Sequence, residues 1–464
     1  MKASTCRFSL LALSAGLLSA CAGPAFYQDL TPPRYEFPSV GEVTRKTPDE
    51  MGPVLRFQPV VFRFNRMQRV PPPVQAWKGA VIASAGLCGA DVDQTLGDYP
   101  SWLKGLAPAA GGDPAAGYVE AVRVTAGHFL EWTDSYSADV QLWAMGEMGR
   151  IADSPAKAAA IARGKACAEA TIEAFNSTPW KKYQLLKLRT PDGERPAGKT
   201  SINLFDKSDR HRWSETRTRP PHRGGLELPS NHFVYQLAPI VPGAAQSSLF
   251  VVDDRKDYLL PEFPKEGTPD WWRQVTNVWA YGGNDNPNGC RTDALETNLL
   301  YFEDSRQGPP SHVAIMAPNY LQHLPKDTIR DARWMAMVYL ALADTGTLVW
   351  WNKFVHDVER PVSAINRWMD GTWETRVGSP TFPAYPSGHS GFSAAGMAMM
   401  ELLSEDTDLT IVGRHPDPMH FPGALPGLER RWQSDGKESA WDKLARDASI
   451  SRLGIHYELD GWGG

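Results

Sequence analysis

Apolar residues recur every three to four positions from about Tyr118 to Phe175, ending in the Ala-rich run SPAKAAAIARGKACAEATIEAF. That period predicts helices. It returns from Arg291 onward. DTIRDARWMAMVYLALADTGTLVWWNKFVHDVERP reads as two long helical passes, HSGFSAAGMAMMELLSED as another, and ESAWDKLARDASISRLGIHYELDG as the last. Between 180 and 270 the period lapses into prolines, glycines and short β-leaning runs such as SSLFVVDD, which predicts long loops with a few strands. PAAGGDPAAG at 108–117 is a loop, and no internal repeat is present.

The ends of the chain read differently. Lys2 and Arg7 flank the start of an apolar run, Phe8 to Leu18, followed by Leu18-Ser19-Ala20-Cys21. Residues 1–20 therefore read as an export signal. The cleavage site resembles a lipobox, which makes Cys21 a lipid-bearing first mature residue and points to the cell envelope, the outer membrane if the source is Gram-negative. Residues 21–60 are Pro-rich with little apolar period and read as a tether. RVPPPVQAW at 69–77 marks the start of folded material. The domains expected are 61–289, helical and loop-rich, and 290–464, helical and carrying the chemistry. No later stretch has eighteen uninterrupted apolar residues, so no spanning helix is expected.

Composition adds limits. Apolar residues are 42% and charged residues 22%, ordinary for a folded soluble protein. A net charge of −5 exerts no general pull on nucleic acid, so an anion site must be a local cluster of cations. Beyond Cys6 and Cys21 the cysteines are Cys88, Cys167 and Cys290; they allow three pairings and are too scattered for a zinc site. The run KSDRHRWSETRTRPPHRGG (207–225) reads as a solvated loop or as a positive rim drawing anions to a cavity. NDNPNG (284–289) faintly resembles a calcium loop, but Leu295 stands where its last acidic ligand belongs, so a turn is the better reading. No motif speaks to an oligomeric state.

Three short patterns carry chemistry. Lys353 and Arg360 are seven residues apart; on one helix they share a face about 10 Å apart and converge on one oxyanion. Pro361 bends or ends that helix. In FPAYPSGHSGF, Pro383 and Pro386 stiffen a turn, Ser387 can cap a helix, and Gly388 lets backbone approach a ligand. The helix mouth favours an anion, with His389 at its rim as a proton carrier. A serine-hydrolase elbow is excluded, because Phe392 occupies the last glycine position. In His456-x3-Asp460, helical spacing puts the carboxylate beside the imidazole, fixing its tautomer. Each pattern alone also fits a solvated face, a capped helix or a core pair.

Their order and combination resemble the superfamily of vanadium-dependent haloperoxidases and type 2 phosphatidic acid phosphatases, over roughly residues 290–460. The resemblance implies an all-α fold with the site inside a helical bundle. It implies that Lys353, Arg360, Ser387 and the Gly388 N–H grip vanadate or phosphate. His456 would be the axial vanadium ligand or the nucleophile towards a phosphoester, and His389 the acid–base group. Phe382 matches an apolar residue near the halide site and Trp350 an aromatic there.

The implied reaction takes hydrogen peroxide and halide to hypohalous acid, with Lys353 polarising the peroxide. A histidine phosphatase acting on phosphoesters, or a non-catalytic lipoprotein, are the alternatives. Chain length and the absence of spans favour the haloperoxidase. One feature departs from the family. Its third motif has Ser-Arg six to seven residues before the histidine, whereas Ser451-Arg452 lies four to five before His456 and Ile450 takes the usual place. On a continuous helix this rotates the Arg452 guanidinium by about 200°; an irregular backbone restores it. The chain also stops at Gly464, four residues past Asp460, where relatives continue in helix.

Overall fold

In the computed structural model the described residues are 50–68, 70–97, 100–130, 134–176, 241–286, 290–303, 308–380, 382–404, 410–414, 429–452 and 454–464, plus the two-residue pairs 189–190 with 193–194 and 217–218 with 234–235. The export signal, Cys21 and the basic run 207–225 lie outside what can be described, the two Arg217–Thr218 positions aside.

The fold is all-α. Its helices are α1 (Pro53–Gln68), α2 (Pro72–Ala90), α3 (Pro114–Phe129), α4 (Asp134–Gly149), α5 (Pro155–Phe175), α6 (Pro269–Gly282), α7 (Asp293–Phe302), α8 (Pro309–Ala314), α9 (Met316–Leu321), α10 (Thr328–His356), α11 (Pro361–Trp368), α12 (Gly388–Ser404), α13 (Ala440–Ile450) and α14 (Glu458–Gly463). Local sequence explains many of the starts. Asp113, Ser154 and Thr268 each accept a backbone N–H three residues on, with proline at the first helical position. Thr292, Asp327 and Ser439 cap α7, α10 and α13 in the same way.

The central element is α10, 29 residues long and buried on most of its surface. A helix apolar on all sides belongs in a core. It packs against α2, where the Tyr339 ring lies about where a side chain at Gly79 would be. On the far side of α2, helices α2, α3 and α5 meet backbone to backbone at Gly89, Gly117 and Gly164. Cys88 and Cys167, one from α2 and one from α5, form a disulfide beside that crossing. On its other side α10 packs α12, and α12 packs α13. A five-residue antiparallel ladder, β1 (Thr410–Arg414) with β2 (Glu429–Gln433), pairs Ile411 with Trp432. No described helix is long and apolar enough to cross a membrane.

Three local expectations change. Residues 53–60, included in the tether, are the first turns of α1, and Val54, Leu55 and Phe57 are core. SSLFVVDD is not a strand. Its Phe250, Val251 and Val252 N–H groups all donate to the Asp344 carboxylate on α10, at 2.6, 2.8 and 2.9 Å, so the ladder partners of a strand are replaced by one side chain. One apolar core also spans Val54 to Ala448, so residue 290 does not separate two cores. In the NDNPNG segment the Asn286 amide bonds both the N–H and C=O of Arg291, while residues 287–289 lie outside the described residues.

Candidate active site

Lys353 lies in the last turn of α10, and both Lys353 and Arg360 are fully buried. The two do not share a helix. Asp357 adopts a left-handed conformation (φ 53°) and stops α10 at His356, while Arg360 is the N-cap of α11. The turn brings the side chains together where a continuous helix was expected. All three Lys353 ammonium protons have acceptors: the carbonyls of Pro383 at 2.9 Å, Ala384 at 3.0 Å, and Pro386. Lys353 thus binds the stiff turn of the second motif. Arg360 Nε donates to the Phe382 carbonyl (2.7 Å), and its Nη1 to the Ile455 carbonyl (3.0 Å) and His456 Nε2 (3.1 Å). One guanidinium therefore joins the second motif to the third, and its Nη2 is buried with no hydrogen-bond partner among the described residues.

Ser387 is buried and its Oγ accepts the Ser390 N–H, so it caps α12 as expected; its own N–H donates to the Asp460 carbonyl at 2.7 Å. The helix beyond packs through glycine. A Cβ at Gly391 would lie 2.8 Å from Val349, and one at Gly396 2.3 Å from Val313. Gly388 differs. A Cβ there meets nothing closer than Trp350 at 3.5 Å, an ordinary contact, so protein packing does not demand glycine at the helix mouth. Phe382 packs against Trp350 with the rings tilted (4.9 Å between centroids) and lies under both cations, 5.1 Å from Lys353 Nζ and 4.8 Å from the Arg360 guanidinium carbon.

The third motif is a helix start and not a continuous helix. His456 precedes α14, Tyr457 is its N-cap and Asp460 its third residue. The Asp460 carboxylate accepts from Tyr457 N–H (2.9 Å) and from His456 Nδ1 (2.8 Å). The His456 proton is therefore on Nδ1, and Nε2 faces Arg360 as an acceptor. Helix α13 ends at Ile450, and the backbone turns tightly at Arg452, whose C=O accepts from both Ile455 and His456 N–H. Ile450 and His456 therefore do not lie on one continuous helix. The Arg452 side chain is buried, with its guanidinium 3.4 Å from the Phe302 carbonyl and the Glu303 carboxylate.

The electrostatics follow from three buried cations in one place. Burial lowers His389 well below the usual imidazole range, and the charges of Arg452, His312, Lys353 and Arg360 add to it. His456 is lowered likewise, first by burial and then by Arg360, Lys353, Arg452 and His389. Burial and Arg360 also lower Lys353, and burial brings Arg360 down to about 9. Burial pushes Asp460 up to about 7, against the pull of Lys353 and Arg360. Both imidazoles are neutral at pH 7, and the site is short of negative charge. Glu303 is the carboxylate that sequence reading missed; it sits in YFEDS with no motif around it, and burial raises it although Arg452 lowers it.

Residues 369–462 match the family model described as the VCPO second helical-bundle domain. No curated protein sequence matches the chain significantly. Among solved structures, the fold is similar to the first bacterial vanadium-dependent iodoperoxidase, with a TM-score of 0.67 at 18% identity over 90% of this chain and 96% of that one. It is similar also to a bacterial vanadium-dependent chloroperoxidase, with a TM-score of 0.61 and 15% identity in the apo form over 84% of this chain and 91% of that one. The holo form gives 0.59 and 16%, over 90% and 91%. The architecture is that of a helical haloperoxidase bundle. The fold of the chain is shared with these structures, and residues 369–462 are similar to the second helical-bundle domain of that family.

Proposed function

We propose that this chain is a vanadium-dependent haloperoxidase that uses hydrogen peroxide to oxidise chloride or bromide to hypohalous acid. The observation that carries the reading is a set of buried, unmatched groups among the three motifs. Among the described residues Arg360 Nη2 and His389 Nε2 have no hydrogen-bond partner, Gly388 is open, and the mouth of α12 presents the N–H groups that a helix start leaves without intrahelical acceptors, one of which Ser387 caps. A tetrahedral oxyanion supplies what each lacks, so the residues present fit vanadate, and phosphate in the same place.

Arg360, Ser387 and the mouth of α12 would hold its oxygens, and His456 Nε2 would face the central atom. Bound vanadate supplies a Lewis acid that activates peroxide without itself changing oxidation state. The remaining work falls to the chain. Asp460 holds His456 in the tautomer whose Nε2 lone pair points inward. Neutral His389 can accept a proton from an incoming acid at Nε2, and an anion beside it raises its basicity. Lys353 acts through its charge and through the carbonyls of the turn it holds. Trp350 and Phe382 form an apolar wall beside the cations, which excludes water and strengthens their field.

Assays on purified protein test this. Peroxide-dependent bromination that orthovanadate restores and phosphate suppresses is expected. Phosphoester hydrolysis by the vanadium-free protein, with no bromination, would overturn it in favour of the phosphatase, for which His456 is equally well placed as nucleophile. Export and lipidation at Cys21 are part of the proposal; labelled fatty acid that still attaches to Cys21→Ala refutes that part.

A further inference from the structure

Helix α6 lies outside all three motifs and outside the matched residues 369–462. Its inward stripe is Trp271, Gln274, Val275 and Val278, at helical spacing. Three of these are apolar and pack against Val358, Tyr385 and Tyr457, the neighbours of Arg360, Ser387 and His456. The fourth is a glutamine with no solvent exposure. A buried amide on an apolar stripe is costly unless it is used. Its Oε1 accepts the Leu459 N–H at 3.0 Å, across 185 residues of sequence.

That N–H is the second of α14, one of the donors a helix start leaves unmatched. Tyr457, the N-cap residue, offers no side-chain cap. The missing cap comes from another helix. Asn277 and Arg273, on the same side of α6, hold the adjacent Glu458 carboxylate at 3.3 Å each. The start of α14 in turn carries Asp460, which orients His456.

We infer that Gln274 is a positioning residue for His456, acting as an N-cap supplied in trans to α14. Without its oxygen the first turn of α14 frays, Asp460 loses its place, and the His456 Nδ1–H bond loosens. The effect on binding rests on the oxyanion reading above; the effect on the ring does not.

The test uses the full chain. Gln274→Leu keeps the volume and removes the acceptor; Gln274→Glu restores an oxygen. Two readouts are taken: the dissociation constants of phosphate and orthovanadate across pH 5.5–8.5, and the downfield Nδ1–H proton resonance assigned by its loss in His456→Ala. Gln274→Leu is expected to weaken both anions about tenfold, as orienting partners of a ligand do, to shift the acid limb of the binding profile, and to broaden the resonance. Gln274→Glu should stay within threefold of the parent. Val119→Ala in α3 serves as a stability control and should move neither readout. A Gln274→Leu protein with the parental resonance overturns the inference, whatever its affinity. A changed resonance in a protein that binds no oxyanion even as the parent sustains the inference and sinks the functional reading. Should Gln274→Leu fail to fold, Gln274→Met, which also lacks the oxygen, carries the test: a shifted resonance supports the cap, and an unshifted one overturns it.

Discussion

Two crossings in this molecule are held in opposite ways. Where α2, α3 and α5 meet, close packing dominates, with Arg163 Nε donating to the Cys88 carbonyl at 3.0 Å. A Cβ on Gly117 would lie 2.0 Å from the Gly89 carbonyl oxygen, one on Gly164 would lie 2.4 Å from that of Gly117, and a disulfide closes the crossing. Where the three motifs meet, the centre is Lys353, Arg360, Arg452, His456 and Asp460, all buried. The first region is stable because shapes fit. The second is assembled from groups that water would stabilise better, and it persists because carbonyls and Asp460 satisfy most of their donors. Among the described residues its unmatched buried atoms include Arg360 Nη2 and His389 Nε2, both at the meeting of the motifs. Changes in the first region should therefore cost stability and spare binding, and changes at the centre of the second should do the reverse.

The largest effect tests the second half of that contrast. His456→Ala removes the inward acceptor and is expected to lower vanadate-dependent bromination by about a thousandfold, roughly 4 kcal/mol of barrier. Its thermal midpoint should fall by less than the loss of activity implies, since Asp460 keeps the Tyr457 N–H and Arg360 keeps its two carbonyl acceptors. Unfolding with turnover intact would reverse the contrast. The next effect tests the first half. Replacing Cys88 and Cys167 with alanine opens a loop spanning 79 positions, which the chain-entropy account values at about 4 kcal/mol. Urea denaturation should show that loss while the phosphate affinity of the folded protein stays within twofold.

Lys353→Met sits on the boundary. It removes a buried charge and leaves the carbonyls of Pro383, Ala384 and Pro386 without a donor, so stability should fall by about 3 kcal/mol. If Lys353 worked by touching the ligand alone, affinity would fall with stability unchanged. Because it also holds the turn that leads to Ser387, both should fall together.

The contrast also explains what could be read from the chain. The site was legible because each motif is local: Ser387 caps α12 three residues on, and His456 and Asp460 are four apart. The geometry joining them was less so. Spacing suggested a shared helix for Lys353 and Arg360, but a left-handed Asp357 intervenes, and aspartate seldom announces that conformation. Arg452 depends on a tight turn after Ile450 that the helical period of α13 gives no sign of. Gln274 and Glu303 were invisible because their partners lie 185 and 149 residues away. The glycine crossing was equally hidden, since glycines inside helical patterns say nothing about which helix will touch them.

The smallest effect is the pH dependence of stability, and its sign separates the raised carboxyls from the lowered imidazoles. Burial raises Glu359 to about 8, although Arg367 opposes it, and raises Asp460 to about 7. Such groups hold protons in the folded chain that the unfolded chain releases near pH 4. Their contribution is full below pH 4 and is lost as pH rises through 7 to 8. His389 and His456 are lowered, so they contribute above pH 6.5 and lose that contribution as pH falls below it. Between pH 8 and 6.5 only the carboxyl effect operates, and stability should rise by about 2 kcal/mol on acidification. Below pH 6.5 the imidazoles offset it and the curve should flatten. Saturating phosphate places negative charge beside both rings, raises their proton affinity and should remove the offset, so that stability keeps rising below pH 6.5. Denaturation midpoints at five pH values, with and without phosphate, measure this. A curve that phosphate shifts without changing its shape would mean that the anion does not sit beside His389 and His456.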